Sequence, residues 1–165
     1  PGGVIIDRLA KQGNKNAASF PLPKLDNTEH RYDVSFSGLK TAVIHQRDMF
    51  WNSEYEKTNE NMCAAFQETA CRTITSRLFR AVDDTGLKTV VAGGGVAANS
   101  RLRELLAERD DINCIFPPLK LCGDNGAMIA GVAYHFLQRG DRSGIDTTAC
   151  ARIEQFKRGL QLHRR

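Results

Sequence analysis

Apolar residues recur at helical spacing along the chain, most clearly between residues 61 and 82. The apolar stripe of this stretch consists of Met62, Phe66, Ala70, Ile74, Leu78 and Val82. The spacing predicts a long amphipathic helix, and Gly86 is a suitable residue to end it. Shorter patterns of the same kind predict helices near Gly3, after Ser37 and Gly38, after the glycines at 93–95, and from Asp124.

Between these helices, two short runs rich in β-branched and apolar residues predict buried strands at 88–92 and 112–116. Residues 34–36 predict a further short strand. From residue 61 onward the order is helix, strand, helix, strand, helix. This alternation is typical of an α/β fold with parallel strands and right-handed crossovers.

In a parallel sheet, ligands bind beyond the carboxyl ends of the strands. The loop at 93–99 follows the first strand and the loop at 117–124 follows the second. We therefore expect these two loops to lie side by side at one edge of the sheet.

The composition fits a packed globular domain, with 41% hydrophobic and 25% charged residues among 165. No apolar run approaches the length of about 20 residues that a membrane-spanning helix needs. The net charge of +4 comes entirely from residues 151–165, which hold five basic residues and one acidic residue. A basic tail of this kind suits a polyanionic partner, although a solvated charged end is the more ordinary interpretation.

The five cysteines include no Cys-x-x-Cys pair, and their number is odd. This usage argues against a disulfide framework or a zinc ribbon and is typical of a protein of the reducing cytoplasm. The histidines are widely separated and form no His-Glu-x-x-His motif, which argues against a zinc protease site within this chain.

The glycine turn at 93–95 joins a strand to a helix, so a ligand could approach its backbone and the free N–H groups of the helix start. Gly93, Gly95 and Ala98 formally match the dinucleotide-binding fingerprint. The acidic residue expected after the next strand is missing, which argues against a dinucleotide-binding site of the NAD type. Asn99, or the serine after it, is equally suited to be the N-cap of the following helix.

Two carboxylates stand out. Asp124 comes at a predicted helix start, where a carboxylate is a good ligand for a hard or borderline metal, but an N-cap role is the simpler interpretation. Asp7 lies one turn after Gly3 and could accept hydrogen bonds from hydroxyl groups of a ligand. The simpler role for Asp7 is an ion pair with Lys11, four residues later.

The ordered motifs of the chain resemble one family. They are PGG at 1–3, VSFSGLKTA at 34–42, AAFQE at 64–68, AGGGVAANSR at 92–101, FPP at 116–118 and LCGDNGAMIA at 121–130. Together they resemble the universal tRNA threonylcarbamoyladenosine transferases, a family formerly labelled O-sialoglycoprotein endopeptidase or glycoprotease. The resemblance covers only the C-terminal half of that family.

The resemblance implies one lobe of the two-lobed actin/sugar-kinase/Hsp70-like (ASKHA) fold, with a mixed sheet flanked by helices. Residues 1–145 would form this second lobe and residues 146–165 a basic tail. The first lobe, with its phosphate-binding turn and His-x-x-x-His pair, would be missing, so we expect this chain alone to be inactive or nearly so.

The implied reaction moves a threonylcarbamoyl group from threonylcarbamoyl-AMP to N6 of adenosine 37 in tRNAs that read ANN codons. The residues that the resemblance assigns to the substrate are Gly3, Asp7, Gly93, Gly94 and Asn99. Asp124 would be one ligand of a divalent ion, iron or zinc, and no residue is assigned as a nucleophile. The implied partners are tRNA, a paralogous subunit and a small ATPase, in the cytoplasm and with no membrane contact.

Three alternatives remain open at this point. An ATP-binding kinase of the same superfamily would share the lobe and the glycine turn, but not the motifs at 34–42 and 121–130. The old family label suggests a metalloprotease. A non-catalytic scaffold is a third possibility, and such a paralogue would not be expected to keep Asn99 and Asp124.

Overall fold

The computed structural model describes residues 2–22 and 30–148. The helices of this part of the chain are α1 (Gly2–Ala10), α2 (Ser37–His45), α3 (Asn59–Thr85), α4 (Ser100–Ala107) and α5 (Gly126–Gln138). Strands β1 (Thr89–Val91) and β2 (Asn113–Ile115) pair in parallel, with Val90 opposite Cys114. The predicted alternation of helices and parallel strands is confirmed.

Helix α3 is the longest element because its sequence supplies both ends and a continuous apolar stripe. Thr58 caps its first turn by accepting a hydrogen bond from the backbone N–H of Asn61 at 3.1 Å. Gly86, with φ at 69°, ends the helix in the left-handed conformation that glycine favours.

The apolar stripe of α3 packs against two separate buried clusters. Its first half, including Phe66, packs against a buried cluster that contains Leu39 of α2. Its second half, including Ile74, packs against Cys71 and the buried leucines of α4, among them Leu105. Helix α3 therefore holds α2 and α4 in fixed positions along its length.

Two local predictions differ from the structure. Residues 34–36 are not a strand, because no strand in the described part of the chain pairs with them, and the chain instead leads directly into α2. Helix α5 begins at Gly126, two residues later than predicted, because the side chain of Asn125 caps it by accepting from the N–H of Met128 at 3.2 Å. The predicted N-cap role of Asp124 is therefore wrong.

The chain divides into two compact units, of which the first extends to Asp124 and the second begins at Asn125. Within the second unit, the apolar side chains of α5, such as Ile129 and Val132, are exposed, although apolar residues at helical spacing usually face a core. No helix within residues 2–22 and 30–148 has the length and apolar character needed to cross a membrane.

The described cysteines are free thiols: Cys63, Cys71, Cys114 and Cys122. Cys150 and the basic residues of the predicted tail lie outside the described residues.

Candidate functional site

The loops that follow β1 and β2 lie side by side, as the parallel pairing predicts. The N–H of Ala92 donates to the carbonyl of Ile115 at 3.0 Å, which continues the pairing beyond the last residue of β1. Arg103 of α4 then joins the two loops by donating to the carbonyl oxygens of Ala97 at 2.7 Å and Pro117 at 3.2 Å. Its guanidinium also stacks over the ring of Phe116, with 4.4 Å to the ring centroid.

The glycine turn between β1 and α4 presents open backbone. Gly94 has φ at 84°, a conformation that residues with a side chain rarely adopt. At Gly93 and Gly94 a Cβ atom would meet nothing within 4 Å, and both residues are exposed. The turn therefore leaves room for a ligand to lie against the main chain.

Asn99 is the N-cap of α4, as its position in the sequence suggested. Its side-chain oxygen accepts from the backbone N–H of Leu102 at 3.0 Å. The same oxygen lies 3.4 Å from the sulfur of Cys71 on α3. The capping role does not exclude ligand contact, because it occupies only the oxygen of the amide.

Asp7 forms more contacts than its predicted ion pair with Lys11, which is present at 3.4 Å. One carboxylate oxygen, Oδ1, accepts from the N–H and the hydroxyl of Ser100 at 3.1 and 2.8 Å, and from Nε2 of Gln67 at 3.1 Å. Burial raises the pKa of Asp7, but the bonds from Ser100 and the charge of Lys11 lower it by more, so the net pKa is below its usual value. Asp7 therefore joins α1 to α3 and to the start of α4 as a carboxylate.

Among the described residues, the other oxygen of Asp7, Oδ2, contacts only Lys11, whose side chain is mostly exposed. This oxygen can still accept hydrogen bonds from a ligand hydroxyl.

The side-chain amide of Gln67 also has a fixed orientation, because a flip would turn its oxygen toward the Asp7 carboxylate. In its present orientation that oxygen, Oε1, is buried without a hydrogen-bond partner in the described part of the chain.

Asp124 stands at the exposed end of the loop that follows β2. The loop is fixed just before it, because Cys122 is buried and its sulfur lies 3.4 Å from the guanidinium of Arg103. The carboxylate of Asp124 has no hydrogen bond or ion pair with any other described residue, since Asn125 has taken the capping role. Asp124 is thus a carboxylate left free for a ligand.

A single carboxylate does not make a metal site. Within residues 2–22 and 30–148, no cluster of three or more His, Cys, Asp or Glu side chains is arranged to hold an ion. Oxygen donors such as Asp124 suit iron or zinc as part of a mixed ligand set. The described residues therefore provide one candidate ligand, and further ligands would have to come from elsewhere.

An apolar groove of about 490 Å³ opens between α1, α2, α3 and the start of α4. Its apolar walls include Ile6, Phe36, Val43, Phe66, Ile74 and Val96. Gly3 and Asn99 both line it, so the structure brings these two predicted substrate residues to one cavity. Asp7, Gly93, Gly94 and Asp124 do not line the groove.

The start of α4 is also held by a half-buried ionic cluster that the sequence analysis did not find. Glu68 of α3, only 9% exposed, accepts from Nε of Arg72 and Nε of Arg101, both at 2.5 Å. Arg101 lies two residues after Asn99 and also contacts Glu104 at 2.9 Å. The cluster fixes the side of α4 that carries Asn99.

This cluster predicts a pH dependence of stability. Burial raises the pKa of Glu68, but the hydrogen bonds from Arg101 and Arg72 lower it by more, and the net pKa is below its ordinary value. A carboxylate with a lowered pKa in the folded state stabilises the protein above its unfolded pKa, and this stabilisation is lost as the pH falls through the folded pKa. We expect Glu68→Gln to cost about 2 kcal/mol of unfolding free energy near pH 7.

Urea unfolding at a series of pH values checks this expectation. The difference between wild type and Glu68→Gln should start to shrink as the pH falls through the ordinary glutamate range near about 4.3, and it should go on shrinking at lower pH as Glu68 is protonated in the folded state as well. Glu54→Gln is the matched control, since the side chain of Glu54 is exposed and should cost little. An equal difference at pH 7 and pH 3 would contradict the role given to the Glu68 charge.

The contacts that the sequence analysis missed are those of Gln67, Glu68, Cys71, Ser100 and Arg103. Three of these residues, Gln67, Glu68 and Ser100, lie within the motifs at 64–68 and 92–101, and the other two follow these motifs within three residues, so the motifs themselves were the available signal. Their partners are distant in sequence, as in the contact between Asp7 and Ser100, which are 93 residues apart.

Comparison with known proteins gives a consistent result. A sequence model of the tRNA N6-adenosine threonylcarbamoyltransferase family matches residues 1–131. A Treponema denticola protein named tRNA N6-adenosine threonylcarbamoyltransferase is 59% identical over 162 residues, which are 98% of this chain and 48% of that protein.

Two further relatives carry the same name. The Treponema pallidum (strain Nichols) protein is 53% identical over 96% of this chain and 46% of its own length. The Borrelia duttonii protein is 43% identical over 98% of this chain and 48% of its own length. The chain thus spans about half the length of the curated relatives that it matches.

Proposed function

The chain belongs to the tRNA N6-adenosine threonylcarbamoyltransferase family, and from that premise we propose that it contributes the nucleotide-binding lobe of such an enzyme. The enzyme moves the threonylcarbamoyl group from threonylcarbamoyl-AMP to N6 of adenosine 37 in tRNAs that read ANN codons. The observation that carries this proposal is the family match over residues 1–131, which includes every proposed site residue from Gly3 to Asp124.

The proposed lobe is of the actin/sugar-kinase/Hsp70-like type and comprises residues 1–145, followed by a basic tail at 146–165. The observed α/β elements and the parallel pair of strands support this assignment, and the larger mixed sheet is part of the proposal. The tail would contact tRNA phosphates through its arginines.

In this proposal the adenylate lies between the glycine turn and the groove. Gly93 and Gly94 allow its close approach to the backbone, and Asn99 contacts it. Gly3 and Asp7 hold the nucleoside end, where Oδ2 of Asp7 accepts from ribose hydroxyls. The shared groove of Gly3 and Asn99, and the hydrogen bonds of Asp7 to Ser100, support this arrangement.

Asp124 is proposed as one ligand of a divalent ion, iron or zinc, whose other ligands lie outside the described residues. Its free carboxylate and the fixed loop before it support this role. Such an ion would act as a Lewis acid toward the carbamoyl or phosphate oxygens while AMP leaves. The residues of this chain hold and orient the adenylate, and the attacking group is the N6 amine of the tRNA base.

The proposed partners are tRNA, a paralogous subunit and a small ATPase, and the proposed compartment is the cytoplasm, where tRNA is modified. The kinase, metalloprotease and scaffold interpretations are not favoured, because the matched family and the relatives described above are transferases by name.

A transfer assay tests the proposal. The complete product of the gene that encodes this chain is incubated with threonylcarbamoyl-AMP and an ANN-reading tRNA, and the nucleosides are analysed by mass spectrometry. We expect threonylcarbamoyladenosine to form with this tRNA and not with a control tRNA that has guanosine at position 37. Hydrolysis of a glycoprotein, or transfer of phosphate from ATP to a small substrate, in place of this product would contradict the proposal.

A further inference from the structure

The side-chain amide of Asn99 has a fixed orientation. Its oxygen accepts from the N–H of Leu102 at 3.0 Å as the N-cap of α4, and from the thiol of Cys71 at 3.4 Å. Both partners are donors, so a flipped amide would turn its own NH2 group against them. The nitrogen Nδ2 is therefore directed away from both contacts.

Cys71 keeps its proton under ordinary conditions. The residue is only 5% exposed, and burial, with a smaller contribution from the Glu68 charge, raises the pKa of its thiol to about 11. A thiol of this kind donates a weak hydrogen bond near neutral pH and does not become a competing negative charge. In the contact with Asn99, Cys71 is therefore the donor and the amide oxygen of Asn99 is the acceptor.

The one hydrogen-bonding group of the Asn99 side chain that is still available to a ligand is its NH2 donor. Nδ2 has no hydrogen-bond partner among the described residues, while both Asn99 and Cys71 line the groove beside Gly3. A ligand in the groove therefore meets an N–H group from Asn99, and the carbonyl oxygen of the amide is already occupied.

We infer that Asn99 binds the adenylate solely as a hydrogen-bond donor through Nδ2, to an acceptor atom of the base or the phosphate, and that Cys71 is a positioning residue that holds the amide in this orientation together with the N–H of Leu102. This inference rests on the proposed function and adds to it the direction of one hydrogen bond and the role of a thiol. It separates two properties of Asn99, because the cap uses the oxygen and the ligand uses the nitrogen.

Two substitutions separate the cap from the donor. Asn99→Asp and Asn99→Ser both keep an oxygen that can cap α4, and both remove the NH2 group. We expect each to weaken AMP binding by the complete gene product roughly tenfold or more, since a ligand acceptor is left unpaired. The melting temperatures should stay close to wild type, and Asn99→Ser excludes charge repulsion as the cause.

Cys71 is tested by a pair of variants that differ in one atom. Cys71→Ala removes the donor to Asn99 and should weaken AMP binding roughly three- to tenfold, whereas Cys71→Ser keeps a hydroxyl donor and should recover most of the affinity. A merely structural role would lower the melting temperature of Cys71→Ala without a selective recovery of AMP affinity by serine.

The outcomes distinguish this inference from the proposed function. Isothermal titration calorimetry with AMP is carried out first on the wild type, and absence of binding would count against the proposed function itself. Binding by the wild type that Asn99→Ser retains unchanged would overturn the donor role. Equal AMP affinity of wild type and Cys71→Ala would overturn the positioning role.

Discussion

Asp124→Asn in the complete gene product is expected to reduce threonylcarbamoyl transfer by about a hundredfold or more, the scale of losing a charge-stabilising group at a reaction centre. Asparagine has nearly the same shape but lacks the negative charge that a metal ligand of this kind contributes. The carboxylate is exposed, is not needed as the cap of α5, and has no bonded partner among the described residues. Its replacement should therefore leave the fold intact.

This separation of activity from stability is what makes the variant informative. The melting temperatures of the metal-free forms of Asp124→Asn and wild type should match, while the iron or zinc content of the variant as purified, measured by mass spectrometry, should fall. Asp110→Asn is a matched control, because Asp110 is also an exposed loop aspartate but lies before β2 rather than after it. Full transfer activity of Asp124→Asn with unchanged metal content would remove Asp124 from the proposed site.

Local features of the structure could be predicted from the sequence because their causes are local. The cap of α4 by Asn99 joins residues three positions apart, and the stripe of α3 follows from the helical repeat. The side-by-side loops follow from the parallel pairing of two short strands, which the alternation of elements indicates.

Two predictions from the sequence were wrong. In one, two neighbouring residues compete to cap the same helix, and in the other a predicted strand needs a second strand to pair with. Asp124 and Asn125 are both good caps, and a shift of one residue decides which of them is free. Residues 34–36 have the composition of a strand, but a strand forms only where another strand offers hydrogen bonds.

The contacts that hold the candidate site together join distant parts of the chain, so periodicity within one element does not show them. Glu68 binds Arg101, 33 residues later, and Gln67 binds Asp7, 60 residues earlier. The functional role of such residues emerges only when α1, α3 and α4 are packed together.

Gly13→Ala is expected to destabilise the fold by about 3 kcal/mol or more, at the upper end of the cost of overpacking. Gly13 follows α1, and an added Cβ would collide with the backbone carbonyl of Glu60 and lie 2.7 Å from the nitrogen of Asn61, both in the first turn of α3. The next residue, Asn14, donates its N–H to the side chain of Asn61 at 2.8 Å, so the two segments are already bonded at this approach.

The chain has little freedom to relieve that collision. The carbonyl of Glu60 belongs to the backbone of α3, and a shift of this turn would disturb the cap by Thr58 and the position of α1, which carries Gly3 and Asp7. Thermal unfolding should show a fall of roughly 10 °C for Gly13→Ala. Gly38→Ala is the control, because its added methyl group meets nothing within 4 Å inside α2 and should stabilise that helix slightly. A Gly13→Ala variant with the same melting temperature as Gly38→Ala would show that the turn after α1 does not approach α3 this closely.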